Sequence, residues 1–346
     1  PGTGKTTKLL NLVDKHLEAG VEPTNIAFLA FTRKAAEEAR ERAAARFNLD
    51  PKQDLFFFKT LHSLALAMTD IRTDQVMQPE HYRELGKSIG VNLGAAADNR
   101  FSDIPETQKS SDPILGLINL AILRKVPLRT QYNISQIDES WNVVKYVDEA
   151  LTKYKKSYTL YDFTDMLRVF AETGQSCCPR FAVTFLDEAQ DLSPLQWDIA
   201  HMLDRQSERM YCAGDDDQAI YRWAGADVDQ FIGLEGGSET LSQSYRVPQL
   251  PWEIAQNVAR RIHRRFPKTY KPRDERGMVR RISMVNELDM SEGSWLILAQ
   301  AAYLLQDVSS DLKAMGLLFN FRGHRSVSER MSEAINGWEQ LRKDKE

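Results

Sequence analysis

The chain opens on a run of small residues that ends in a lysine and two hydroxyls, Pro1-Gly2-Thr3-Gly4-Lys5-Thr6-Thr7. Glycines let successive backbone N–H groups turn toward one anion, a lysine ammonium reaches its outer oxygens, and a neighbouring hydroxyl can ligate a cation. The order matches the later part of the phosphate-loop pattern G-x-x-x-x-G-K-[ST]. On that match Lys5 meets the β- and γ-phosphates of a nucleotide such as ATP, Thr6 ligates Mg2+, and Gly2, Thr3, Gly4 and Thr7 complete the cradle at a helix N-terminus. Counted back from Gly4, the pattern's first glycine falls two positions before Pro1, so the chain is expected to start inside its own motif. A plain glycine-rich turn is the competing reading.

A second group of chemical residues is Asp187-Glu188-Ala189-Gln190-Asp191, directly after the apolar run at 181–186. A carboxylate pair at the C-terminal end of a buried strand lies where an open α/β sheet binds its ligand. There Asp187 can hold Mg2+ through water and Glu188 can polarise an attacking water. Alternatively the acidic residues cap the helix that follows.

These groups need a scaffold. Leu9, Leu10, Val13 and Leu17 repeat at helical spacing, Gly20 and Pro23 end that helix, and 26–31 reads as a short buried strand followed by a helix over 33–46. Further strands are expected at 181–186, 210–213 and 240–241, each separated by helical text, which implies a mainly parallel sheet. Between about 63 and 162 strand-like runs nearly vanish. Helix-compatible stretches such as 140–155 alternate there with loops expected around Pro105, Pro113 and Pro127. After a boundary expected near Gly277, a strand at 295–299, a helix over 304–315 and a strand at 317–321 begin a second α/β unit.

Composition narrows the class. The 346 residues are 42% hydrophobic and 27% charged, an ordinary globular balance, and no apolar run approaches the ~20 residues that span a bilayer. An integral membrane protein is therefore not expected. The three cysteines, Cys177, Cys178 and Cys212, are too few for a four-thiolate metal site and read as idle thiols in a reducing compartment. Net charge is −4, so nucleic-acid binding requires a local surface. The stretch 260–281 carries ten Lys or Arg against two acidic residues; a solvated helix face running into a linker is favoured there over a phosphate-tracking patch.

Further motifs carry a resemblance. Asp187-Glu188-Ala189-Gln190-Asp191 is followed by Gly214-Asp215-Asp216-Asp217-Gln218-Ala219-Ile220-Tyr221-Arg222-Trp223-Ala224-Gly225-Ala226 and by Gln243-Ser244-Tyr245-Arg246-Val247-Pro248. Ahead of them stand Ala30-Phe31-Thr32-Arg33-Lys34-Ala35-Ala36, Thr60-Leu61-His62-Ser63 and Tyr161-Asp162-Phe163-Thr164-Asp165-Met166-Leu167. In order and spacing the set resembles the UvrD/Rep-type superfamily 1 DNA helicases over about residues 1–250, and more weakly beyond.

The resemblance implies a P-loop NTPase of RecA-like α/β fold. Residues 1–63 and 160–277 would form the first RecA-like domain, 64–159 a mostly helical insertion, and 278–346 the opening of a second RecA-like domain. It implies ATP and Mg2+ as cofactors, single-stranded DNA and single-strand/duplex junctions as partners, 3′→5′ movement, and the cytoplasm of a bacterial or phage-infected cell. By the same resemblance Gln218 senses the γ-phosphate, Arg246 sets a guanidinium on it, and Tyr245 stacks on the nucleotide base. Phe31 and Trp223 would stack on DNA bases, with Thr32 and His62 on the backbone; for Phe31, Trp223 and His62 a place in the core is the alternative. Gln300 stands where that family carries arginine, and its strand before the phosphate loop and its late motifs fall outside the chain. The expectation is a piece of a longer motor, poorly soluble and without DNA-stimulated hydrolysis when made alone. Two rivals remain: a nucleotide- and DNA-binding module without turnover, and the motor part of an end-processing nuclease complex.

Overall fold

The computed structural model describes residues 1–93, 112–321 and 324–343. Contacts group the chain into two units that part between Gly277 and Met278.

The first unit is built on a four-stranded sheet in the order β2-β1-β3-β4, all parallel. Its strands are β1 (Ile26–Ala30), β2 (Phe58–Thr60), β3 (Val183–Leu186) and β4 (Met210–Cys212). Alternation divides β1 between two cores. Ile26, Phe28 and Ala30 join Leu9, Leu10 and Val13 of α1 (Lys5–Glu18) and Ala36 and Ala39 of α2 (Arg33–Phe47) on one face. Ala27 and Leu29 face α3 (Leu61–Met68), α8 (Phe163–Cys177) and α9 (Pro194–Arg205), where Met166, Phe170 and the wholly buried Trp197 pack. A row of rings, Phe58, Phe28, Phe185 and Tyr211, crosses all four strands with centroids 5.6, 6.1 and 5.3 Å apart.

The strands expected at 26–31, 181–186 and 210–213 are present with trimmed ends, whereas β2 went unforeseen. The pair 240–241 forms no strand. Among the described residues no strand lies beside it, and the chain pairs two residues later, through an isolated bridge from Gln243 to Lys271. The described residues of 64–159 contain helices and no strand: the rest of α3, α4 (Pro79–Ile89), α5 (Pro113–Leu123), α6 (Leu128–Ile134) and most of α7 (Trp141–Tyr158). Met77, Leu85, Leu115, Ile118, Val144, Val147 and Leu151 share a third core there. One expected loop is corrected: Pro113 opens α5, where a missing N–H costs nothing, and Asp112 caps it by accepting from Ile114 N and Leu115 N at 2.9 and 3.0 Å. The loop expected around Pro127 is present as the turn between α5 and α6, which ends at Pro127, the N-cap of α6. The loop expected around Pro105 lies outside the described residues. α10 (Val228–Ile232) and α11 (Gln249–Ala259) complete the unit.

The second unit holds α12 (Leu305–Ala314), β5 (Asn320–Phe321), β6 (His324–Arg325) and α13 (Glu329–Lys343). The helix expected at 304–315 is found. The strand expected at 295–299 is not: Leu296 and Leu298 are 82% and 80% exposed, and no strand pairs with the segment among the described residues. Of the run at 317–321 only β5 is extended, and it pairs antiparallel with β6. Among the described residues no helix is long and apolar enough to cross a membrane.

Candidate active site and nucleic-acid interface

Two glycines shape the first loop. Gly4 is the N-cap of α1 at φ 81°, in the left-handed region, and gives no side-chain cap; no acidic residue occupies the first turn. The first-turn N–H groups of α1 thus keep their positive end for an anion. Gly2 lies at φ 66°, and a Cβ there would stand 2.4 Å from Arg246 Cβ. Only glycine lets the loop that carries Arg246 come so close. That loop rests directly on the chain start: Tyr245 N donates to Gly2 O at 2.9 Å, and Ser244 Oγ donates to Pro1 O at 2.8 Å. Tyr245 itself is 74% exposed, and the Arg246 side chain is also exposed.

The acidic pair lies at the C-terminal end of β3. Asp187 N donates to Leu29 O at 2.9 Å, so the β1–β3 ladder continues to the carboxylate. Thr6 Oγ1 donates to Asp187 Oδ2 at 2.7 Å across 181 residues. Burial pushes the Asp187 carboxyl up, Thr6 and Lys5 oppose this, Glu188 adds to it, and the direction is upward. A buried carboxylate held above its ordinary pKa favours a cation beside it. Among the described residues no group of three or more His, Cys, Asp or Glu side chains is placed to hold a metal alone. The Thr6–Asp187 oxygens therefore fit an ion that completes its shell from phosphate and water, as Mg2+ does.

Glu188 departs from strand geometry at φ 53°. A non-glycine residue in that region is strained, and strain of this kind persists where its surroundings fix it. They do so here. Glu188 N donates to Asp187 Oδ1 at 3.0 Å, Ala189 N donates to Ala213 O at 2.9 Å, and Gln190 Nε2 donates to Glu188 Oε2 at 2.9 Å. Gln190, 2% exposed, extends the link, since Asp215 N donates to its Oε1 at 2.9 Å. Gln218 Nε2 in turn donates to Asp215 Oδ2. Glu188, Gln190, Asp215 and Gln218 thus form one hydrogen-bonded line. Burial outweighs the opposing Lys5 charge at Asp187 and Asp191, whose carboxyls go up, whereas at Asp215 burial is outweighed by Lys268 first, with the chain-start ammonium, Gln218 and Lys5 adding to it, and the carboxyl goes down.

The DNA candidates fall into two groups. Phe31, just past β1, lies 5.6 Å from the Tyr221 ring, and Tyr221 lies 6.4 Å from Trp223, which is 63% exposed. This is an open aromatic row, so Trp223 is not a core residue. The other two candidates are more enclosed. Thr32 caps α2, its Oγ1 accepting from Ala35 N at 3.2 Å. His62 is lowered to about 4 by burial and then by the Arg33 charge, and its Nε2 has no hydrogen-bond partner. The imidazole is neutral and lies 6.2 Å from the Phe163 ring, nearly perpendicular to it at 76°. His62 and Phe31 line one small cavity together with Thr60, Asp187 and Gln196.

Sequence reasoning gave no role to Gln190, Tyr221 or Lys268. Tyr221 stood in the quoted motif, and its spacing of two from Trp223 was the available signal. The reading of 260–281 as a solvated face is corrected at two positions: Arg265 and Lys268 form ion pairs with Asp215, Asp216 and Asp217, with side chains 19% and 12% exposed. Burial pushes the Cys178 and Cys212 thiols up to about 12, which makes these two unreactive, whereas Cys177 is exposed.

Comparison with known proteins adds relatives to this geometry. Residues 1–236 match the UvrD/REP helicase N-terminal domain. The chain is 27% identical over 285 residues to the ATP-dependent DNA helicase PcrA of Leuconostoc citreum, covering 77% of this chain and 37% of that protein. It is 25% identical over 348 residues to the putative ATP-dependent DNA helicase YjcD of Bacillus subtilis, covering 96% and 45%. To the probable DNA helicase II homolog of Rickettsia conorii it is 28% identical over 302 residues, covering 78% and 43%. The chain thus spans less than half the length of these relatives. With more than half of its residues inside the matched domain, and a phosphate loop closed onto an Asp-Glu pair, this chain belongs to the UvrD/REP helicase family and has its P-loop, RecA-like fold.

Proposed function

We propose that the chain is the nucleotide- and strand-binding part of an ATP-dependent motor that moves along single-stranded DNA, 3′→5′, and opens duplexes at single-strand junctions when the protein is complete. The hydrogen bond that carries this reading is Thr6 Oγ1 to Asp187 Oδ2 at 2.7 Å, because it joins a phosphate loop to a carboxylate whose neighbour, Glu188, is held out of strand geometry. The backbone N–H groups of residues 2–7 bind the phosphates, and Lys5 reaches the β- and γ-oxygens. Thr6 and Asp187 hold Mg2+, which when bound neutralises phosphate charge. Glu188 orients and polarises the attacking water. Arg246 and Gln218 face the γ-phosphate, and Tyr245 offers an exposed ring to the base. Phe31, Tyr221 and Trp223 stack on successive DNA bases, a contact indifferent to base identity, with Thr32 and His62 near the backbone. Gln218 lies three residues before Tyr221 in one turn, which gives nucleotide and DNA a common lever.

The matching partition is a RecA-like domain from 1–63 and 160–277, a helical insertion from 64–159, and a second RecA-like domain that begins at 278–346. Separating binding from turnover in the full-length protein tests the reading. Glu188→Gln should bind a fluorescent ATP analogue like the parent yet lose most turnover, whereas Lys5→Ala should lose affinity and turnover together. Parent-like hydrolysis by Glu188→Gln would remove the acidic pair from the chemistry.

A further inference from the structure

The segment that leaves the region of α11, residues 265–273, is fastened at two places. At the first, Arg265 Nη2 donates to Asp217 Oδ2 at 2.6 Å and Phe266 N donates to Asp216 Oδ2 at 2.6 Å. Lys268 Nζ hydrogen-bonds Asp216 and lies 3.2 Å from both Asp215 Oδ1 and Asp217 Oδ2. At the second place the partners are the loop of Tyr245 and Arg246. Ser244 N donates to Lys271 O and Lys271 N to Ser242 O, both at 2.8 Å; Gln243 Nε2 donates to Pro272 O at 2.9 Å and Arg273 N to Val247 O at 3.0 Å.

Three residues of chain, at most about 10–11 Å, join Lys268 to Lys271. One short strap therefore spans two turns that are far apart in sequence. The ion pairs at its first end are not loose surface contacts, since the side chains of Lys268 and Asp216 are 12% and 3% exposed. A charge so enclosed is held firmly while its partners are present and is strongly disruptive without them. Asp215, which Lys268 steadies, is also the acceptor of the Gln218 carboxamide. Arg246 follows immediately on Tyr245, whose N–H is bonded to the phosphate loop.

We propose that Lys268 is a positioning residue that clamps the Asp215–Asp217 turn and, through the strap to Lys271, makes Gln218 and the Arg246 loop move as one body. Its catalytic consequence rests on the proposed roles of Gln218 and Arg246; the mechanical coupling does not. The structure requires no contact between Lys268 and nucleotide or DNA, so its influence passes through Asp215 and the strap.

Hydrogen exchange and kinetics on the full-length protein test this together. In Lys268→Met, amide exchange should rise about tenfold or more over both 215–219 and 243–247 while β1 and β3 stay protected, and Lys268→Arg should return both segments toward the parent. DNA-stimulated kcat should fall about tenfold with KM for ATP within about threefold, and adding Lys268→Met to Gln218→Ala should cost less than about twofold more. Exchange rising over 215–219 alone, or in neither segment, overturns the coupling, as do failure of arginine to rescue and rate losses that multiply. If Lys268→Met does not fold, Asp216→Asn, which leaves Lys268 two other carboxylates, must show the same paired rise or the proposal falls. A parent without ATP hydrolysis would refute the functional reading, while the exchange pattern would still decide the coupling.

Discussion

Gly214→Ala probes the line from Glu188 to Gln218 at its tightest point. Gly214 follows β4 and has a backbone that an ordinary residue can adopt, so alanine brings no conformational penalty. A Cβ there would stand 2.7 Å from Gln190 Oε1 and 2.7 Å from Phe231 Cζ. Contacts that short do not persist, and one neighbour must leave. If Gln190 moves, Asp215 N loses its acceptor in a buried place, at about 1–3 kcal/mol; if the Phe231 ring moves, overpacking costs about 1–3 kcal/mol. Against this, alanine in place of glycine restricts the unfolded chain and returns about 0.4–1 kcal/mol. At mid-range values the net expectation is a destabilisation of about 1.3 kcal/mol, together with weaker DNA stimulation of hydrolysis. Urea unfolding followed by tryptophan fluorescence measures it, with Gly237→Ala as control because nothing lies within 4 Å of that site. If Gly214→Ala shifts stability by no more than about 0.5 kcal/mol, the range of an ordinary surface change, the close approach of Gln190 is not what that glycine serves.

Three further outcomes are expected. Trp223→Ala and Tyr221→Ala should each weaken single-strand binding by about 1–3 kcal/mol, alike on homopolymers of different base, as read by fluorescence titration. Lys155 lies 2.7 Å from Asp165 and also pairs with Asp162, all three side chains being nearly enclosed. Lys155→Met should therefore cost about 3–5 kcal/mol in denaturant unfolding, more than loss of any exposed pair. Asp191 is pushed up to about 7 by burial and then by Glu188. With a folded pKa above the unfolded one, its stabilising effect is full below about pH 4 and fades as pH rises through about 7. Asp191→Asn should thus gain on the parent between pH 5 and pH 8, by on the order of 2 kcal/mol, and an equal pH profile for the two would contradict the shift.

The parts of the fold written as local pattern were legible in the sequence. The strands at 26–31 and 181–186 are continuous apolar runs because both faces of a parallel strand are covered, and the glycines, lysine and acidic pair keep their chemistry at any distance. What was hidden depends on partners far along the chain. Phe58, Lys59 and Thr60 are strand only because Phe58 registers with Phe28 of β1. The segments at 240–241 and 295–299 have strand-like residues but, among the described residues, no ladder to join. Lys268 read as part of a basic run until its acidic partners, 51 to 53 residues earlier, were brought beside it. The motif that offers His62 to the DNA backbone does not show its burial, which lowers the imidazole to about 4 and leaves Nε2 without a hydrogen-bond partner. Local patterns survive reading in one dimension; buried ion pairs and short strands do not.

The most direct test of the account is phosphate release from ATP by the product of the complete reading frame, measured with and without single-stranded homopolymer. The account predicts hydrolysis that rises on adding the strand, loses that rise in Trp223→Ala, and nearly vanishes in Glu188→Gln while nucleotide binding persists. Hydrolysis indifferent to single-stranded DNA, or equal in the parent and Glu188→Gln, would contradict it.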